Sequence, residues 1–463
     1  MKPALTLLAL LVLACSGPAA HARPAASSVA GSYSGRIGAA TYLADLPSHW
    51  NGTLLLYSHG YQSPGSHPVA QDAGDPATGH WLLDHGYALA GSSYSSTGWA
   101  LEDAFRDQLA LIDEFQRRFG KPKRVIAWGH SLGGIISAGL VQLHPERFSG
   151  AAPFCGVLAG SLATWNGALD VAFTLRTLID ANLQIAAIAS PDANLHEART
   201  AISQAATTPA GRARLALVAA IGHLPGWFDP RQSEPAPDDY ASRLAAQIQW
   251  EVNDASYLFA YRQELETRAG GDPSWNTGVD YAGAFAASPG RAEAAALYAA
   301  AGLDLNADLA RLKAAPRVAE SPSAAEYLRR NIAFDGRLSV PVLTLHSTGD
   351  GLVQPENEAA YRDAVVAAGA EAQLRQLFVH RAGHCVYTPA EQVTALSALM
   401  VRVESRRWPS LDVTGLNGQA VALGADLNGG TIPGVGFIAA PAAFADYAPP
   451  AFPRPFNAGS PLP

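Results

Sequence analysis

Short, wholly apolar segments recur along the first third of the chain, separated by stretches with helical spacing. Thr53–Tyr57 reads as a buried strand ending at Ser58-His59-Gly60, and Tyr87–Ala90 as another running into Gly91-Ser92-Ser93. Between Leu101 and Phe119 the apolar positions Phe105, Leu109, Ile112, Phe115 and Phe119 fall near a helical period. Gly120 and Pro122 then stop the element. Arg124–Trp128 predicts a strand, Leu132–Leu143 a helix closed by His144-Pro145, and Phe148–Phe154 the next strand. Strand and helix in alternation argue for a parallel α/β sheet.

The alternation lapses from about Val157 to Ala333, where the sequence is Ala-rich and helical with breaks at Leu224–Pro237 and Gly270–Pro273. It resumes with a strand at Val340–Leu345, a helix at Glu356–Ala368, a strand at Leu374–Val379 and a helix at Pro389–Val403. The expected organisation is therefore a leader at 1–22, a first core segment at 23–157, a helical insertion at 158–335, a second core segment at 336–407 and a Gly/Pro-rich extension at 408–463. A small hairpin is expected within Leu411–Ile438, and the final fifteen residues should be extended.

Composition narrows the partners. Of 463 residues, 48% are apolar and 16% charged, a globular composition that excludes a disordered chain and a multi-pass membrane protein. The formal charge is −8, with only four lysines and no Lys/Arg cluster of more than a few residues, so a nucleic-acid partner is not expected. Lys2, the largely apolar stretch Ala4–Ala14 and Ala20-His21-Ala22 have the layout of a secretory signal cleaved after Ala22. Val12-Leu13-Ala14-Cys15 imperfectly matches a bacterial lipoprotein box, so a lipid anchor at Cys15 is the second reading. Either way the protein is expected to be exported, periplasmic or secreted, with no membrane-spanning segment after cleavage. Cys155 and Cys385 then remain as an even pair in an oxidising compartment.

Gly129-His130-Ser131-Leu132-Gly133 is a Gly-x-Ser-x-Gly motif. It follows a predicted strand and opens a predicted helix, the context a nucleophile elbow requires. Ser131 needs a base. Of 13 histidines, His49, His67, His80 and His85 read as surface residues and His144 as a helix end, whereas His384 lies in Arg381-Ala382-Gly383-His384-Cys385, a loop leaving a late strand. His380 is its nearest rival but continues the strand. Asp350, between Gly349 and Gly351 after another strand, is the orienting carboxylate, with Glu356 the alternative. An oxyanion would be met by the N–H of Leu132 and by that of Tyr61, with Gln62 in reserve. No cysteine–histidine spacing builds a metal site and no His-Glu-x-x-His occurs, so no metal is expected.

The order Ser131, Asp350, His384, together with the His59-Gly60 loop, resembles the α/β-hydrolase superfamily over roughly 50–157 and 335–405. Ser93–Ala100 (Ser-Tyr-Ser-Ser-Thr-Gly-Trp-Ala) more weakly resembles a group of secreted bacterial hydrolases of esterase type. The resemblance implies a mainly parallel eight-stranded sheet with a large helical cap inserted after the sixth strand, and acyl transfer without a cofactor. A serine nucleophile disfavours the haloalkane dehalogenases and epoxide hydrolases, which use Asp. In the implied sheet order the histidine loop reaches back over the ends of the intervening strands, so a Cys155–Cys385 disulfide would pin the base; two buried thiols are the other reading.

Tyr61, Trp99, Leu352 and Tyr387 flank the predicted loops as candidate walls of an apolar pocket, with Trp165, Trp227, Phe228, Trp250 and Trp275 as a candidate roof. The expected activity is serine hydrolysis of a small-molecule carboxylic ester with a hydrophobic or aromatic part. The alternatives are a peptidase or amidase with the same triad, gripping a substrate terminus through Asp229, Asp238 or Asp239, and a non-catalytic binding protein.

Overall fold

The computed structural model describes residues 29–432 and 436–462; the expected leader at 1–22 and Cys15 lie outside the described residues. The chain begins with an antiparallel hairpin, β1 (Gly31–Ile37) and β2 (Ala40–Leu46), in register Gly31 to Leu46. Ala40, Tyr42, Ala44 and Leu46 are buried while the residues between them are half-buried, the period-two pattern of a strand with one covered face. β3 (Thr53–Ser58), β4 (Ala88–Ser92), β5 (Arg124–His130), β6 (Gly150–Phe154), β7 (Val342–Gly349) and β8 (Leu374–Ala382) pair in parallel. Four of these six (β3, β4, β6 and, but for its ends, β5) are buried along their length, as expected of strands covered on both faces.

Among the described residues the sheet has nine strands in the order β1-β2-β4-β3-β5-β6-β7-β8, then the two-residue β11 (Phe444–Ala445) antiparallel to β8. This is the eight-stranded sheet implied above plus a short edge piece supplied by the C-terminal extension. A separate hairpin joins β9 (Gly429–Ile432) to β10 (Gly436–Ala439). The expected hairpin is thus confined to the later part of Leu411–Ile438. Val413–Ala422 is a helix, started by the Asp412 side chain accepting from Gly415 N–H.

Helices α2 (Leu101–Phe119) and α3 (Leu132–Leu143) share one apolar core with α13 (Glu356–Ala367). On the opposite face α1 (Pro76–Asp84), α14 (Pro389–Ser405) and α15 (Val413–Ala422) share another. Between β6 and β7 run α4 (Ser161–Leu178), α5 (Pro191–Ala205), α6 (Pro209–Gly222), α7 (Tyr240–Ser256), α8 (Arg262–Ala269), α9 (Tyr281–Ala287), α10 (Arg291–Ala300), α11 (Leu305–Ala314) and α12 (Pro322–Arg330), with a π-helical stretch at Tyr257–Tyr261. These helices enclose a core of their own, built on Phe173, Leu217, Phe259 and Tyr298.

The extension returns to this helical layer. Arg454 pairs with Asp170 of α4 at 2.8 Å and donates to the Trp275 carbonyl at 2.9 Å, and Phe456 is buried in the main core. The last residues lack regular structure but are packed against the fold.

Candidate active site

Ser131 sits between the end of β5 and the first turn of α3 with φ 58° and ψ −119°, a left-handed conformation rare for a side-chain-bearing residue. Its N–H donates to the Phe154 carbonyl on β6 at 3.0 Å, and its own carbonyl accepts from Gly134 N–H at 2.9 Å. The bend exists because strand and helix almost touch. A Cβ on Gly133 would lie 1.8 Å from the Ser58 carbonyl oxygen, and one on Gly129 would lie 2.3 Å from the same atom. The obstacle is main chain of β3, which cannot rotate away. Gly133→Ala should therefore destabilise by about 3 kcal/mol, the upper end for overpacking, read as a lowered midpoint in chemical denaturation.

His384 follows β8 and closes a line of hydrogen bonds. Its Nε2 lies 2.8 Å from Ser131 Oγ and its Nδ1 2.7 Å from Asp350 Oδ2. A carboxylate only accepts, so Nδ1 carries the hydrogen and Nε2 is the acceptor facing the serine hydroxyl. Asp350 is fully buried, and its other oxygen accepts from the N–H groups of Leu352 (3.0 Å) and Val353 (2.9 Å). Burial would raise its pKa, but the nearby His384, its hydrogen bond, and His346 3.6 Å away outweigh that and hold it below the usual value. The rivals are placed elsewhere. His380 lies exposed on β8 with Nε2 3.4 Å from Glu234, and Glu356 sits 3.5 Å from His223.

Cys155, after β6, and Cys385, beside the base, form a disulfide across 230 positions of sequence. Both cysteines have positive φ (43° and 57°), so the chain turns sharply at each end of the bridge.

The Leu132 amide is the first of α3 and, like every first-turn amide, has no intrahelical acceptor. The Gly60 loop lies alongside: a Cβ on Gly60 would be 3.6 Å from that of Ser131. His59 Nδ1 holds the Gly60 carbonyl at 2.7 Å, and Tyr94 Oη donates to the His59 carbonyl at 3.2 Å. A trans peptide points its C=O and N–H in opposite directions, so pinning Gly60 O toward His59 aims the Tyr61 N–H away from that ring. Burial keeps the His59 pKa below its ordinary value, so the ring is a neutral clamp at neutral pH.

A family model described as the alpha/beta hydrolase fold matches residues 85–387. The chain belongs to the α/β-hydrolase family. Over 424 residues this hydrolase is 28% identical to an o-phthalyl amidase of Xanthobacter agilis, covering 82% of this chain and 89% of the relative. Solved structures similar to it include an esterase from Aspergillus oryzae (17% identity, 80% of this chain and 78% of that one, TM-score 0.40). Another is the rice cell wall degrading esterase LipA from Xanthomonas oryzae (15% identity, 80% and 87%, TM-score 0.34).

The cavity of this hydrolase that contains Ser131 is lined in part by Tyr61, Trp99 and Leu352, as the sequence suggested, and by Trp165 from the cap. Tyr387 is not among them. The turn at Cys385 carries it to the far side of His384, where it is buried, donates to the Leu345 carbonyl at 3.0 Å and borders a second cavity with Tyr57, His130 and Gln392. Instead of lining the pocket, Phe228 packs edge-on against Trp250, whose Nε1 donates to the Trp227 carbonyl, the Trp227 ring lies against His380, and Trp275 packs on Phe456. Phe452 and Pro453 of the C-terminal extension complete the wall.

The acids at the pocket are also not those the sequence suggested. Asp229 is held by Arg231 and Asp239 starts α7, whereas Glu251 and Asp254, one turn apart on α7, border the cavity. Among the described residues neither oxygen of Glu251 has a hydrogen-bond partner. Burial, with Asp254 alongside, pushes its pKa well up, and burial does the same to Asp254 with Asp350 adding to it.

Proposed function

We propose that this hydrolase cleaves carboxylic esters through an acyl-enzyme on Ser131. One observation carries the reading: a hydroxyl, an imidazole and a buried carboxylate joined by hydrogen bonds of 2.8 and 2.7 Å. His384 accepts the Ser131 proton as Oγ attacks the carbonyl carbon, and Asp350 holds the ring in the required tautomer and stabilises its charged form. The tetrahedral oxyanion is met by the N–H groups of Leu132 and Tyr61. His384 then protonates the leaving alcohol, and water repeats the sequence to release the acid. A cavity walled by Tyr61, Trp99, Trp165 and Leu352 suits a hydrophobic or aromatic acyl part.

Amide cleavage by the same groups is the second reading, favoured by the match to an amidase along most of both chains. The acyl-enzyme step is common to both; only the leaving group differs. The disulfide suits an exported protein, and among the described residues no helix is long and apolar enough to cross a membrane.

A fluorophosphonate probe should label Ser131, identified by peptide mapping, and a matched series of p-nitrophenyl esters and p-nitroanilides sets ester against amide. Labelling elsewhere, with Ser131 unmodified in folded protein, overturns the mechanism.

A further inference from the structure

His346 lies on β7, four residues before Asp350, with a side chain wholly shielded from solvent, as are those of Asp350 and Glu358. Its Nδ1 is 3.1 Å from Glu358 Oε1. Its Nε2 is 2.8 Å from the Val353 carbonyl oxygen and 3.6 Å from Asp350 Oδ2. A carbonyl and an ionised carboxylate have no hydrogen to give. A neutral imidazole keeps one bare nitrogen, which here would face another lone pair at hydrogen-bond distance in the interior. Two N–H groups satisfy every contact. The other oxygen of Glu358 accepts from Thr344 Oγ1 at 2.6 Å and Gln376 Nε2 at 2.5 Å, so both its contacts use it as an acceptor.

We propose that His346 is a standing imidazolium, clamped by Glu358, that positions Asp350 and offsets its charge as felt by His384. This rests on Asp350 being the carboxylate partner of the base. A buried Asp350 with no counter-charge behind it would bind the His384 proton too tightly and leave the base occupied at working pH. The cation behind Asp350 weakens that pull, while the Leu352 and Val353 amides fix the carboxylate. Burial opposes a charge on His346, but its hydrogen bond to Glu358 and the negative charges of Glu358 and of Asp350, 3.6 Å away, raise its pKa to about 10.

The other titratable groups near this assembly do not supply the balance. Tyr387 is pushed well above its ordinary value by burial and by Asp350 and Glu358. Tyr361 on α13 is raised by burial and Glu358, and Asp254 is raised by burial and Asp350. Among the described residues neither Asp350 nor Glu358 accepts a hydrogen bond from lysine or arginine.

Two measurements test this. In protein labelled with ¹⁵N-histidine, one ring should keep both nitrogens at imidazolium shifts above pH 8. If every ring is neutral there, the proposal is overturned whatever the enzyme's activity. In His346→Gln, with Ser131 labelling by fluorophosphonate as the check that the nucleophile survives, the acid limb of kcat/KM should move up by about one pH unit. The double variant His346→Gln/Glu358→Gln, which removes the cation together with the anion behind it, should show a smaller upward move, because the two losses partly cancel. A uniform loss of kcat/KM with the limb unmoved would reduce His346 to a packing role and overturn the charge assignment. Loss of Ser131 labelling in the parent protein would instead sink the acyl-enzyme reading, leaving the NMR result standing.

Discussion

Ser131→Ala should lower kcat on a p-nitrophenyl ester by about 10⁶-fold, the scale seen when a triad nucleophile is removed, while the thermal midpoint stays close to that of the parent. The two halves of this expectation have separate causes. Oγ supplies the bond-forming electrons, and the other group near His384 Nε2, Cys385 Sγ at 3.3 Å, is bound in the disulfide and cannot replace it. The fold loses little, because Ser131 is half-buried and its backbone, not its hydroxyl, ties β5 to β6 through the Phe154 carbonyl. Alanine also accepts the same backbone bend at a strain similar to that of serine. A folded Ser131→Ala protein keeping more than a few per cent of parental turnover would remove Ser131 from its role.

Reducing the Cys155–Cys385 bridge should weaken both stability and turnover. The cross-link spans 230 positions, so in the chain-entropy view it restrains a very large loop of the unfolded chain, worth about 5 kcal/mol. It also anchors the residue after His384 to the end of β6, the strand beside the one that carries Ser131. A base left to wander by an ångström loses the alignment that makes proton transfer efficient. Thermal melts and ester turnover with and without a phosphine reductant check both effects. An unchanged midpoint and unchanged kcat in verified dithiol protein would show that neither depends on the bridge.

The sequence disclosed what is set locally. Leu101–Phe119 and Leu132–Leu143 have the bounds expected from apolar spacing and from the stops at Gly120 and His144-Pro145. Ser131, Asp350 and His384 each stand in a short motif at a strand end, and the structure brings the three into hydrogen-bond contact. What remained hidden depends on contacts distant in sequence. The β1–β2 hairpin has the alternation of a half-covered sheet edge, not the continuous apolar runs of the strands beside it. Tyr387 is near His384 in sequence, but a positive-φ turn at Cys385 sends it to the other side of the base. Glu251 and Asp254 reach the pocket only through the packing of α7 within the cap. His346 did leave a signal, an ionisable side chain directly after the mostly apolar run Val342–Leu345 with Glu358 twelve residues on, but pairing the two requires knowing that α13 folds back on β7.

The clasp between Arg454 and Asp170 bears on how substrates get in. Asp170 belongs to α4, at the base of the cap, and also accepts from Tyr281 Oη at 2.6 Å, so the strap holding Arg454 is riveted to the cap's interior. Swinging the whole cap away would strand a shielded carboxylate, a penalty of several kcal/mol. The tail thus couples any outward swing of the cap to the rupture of a charged pair.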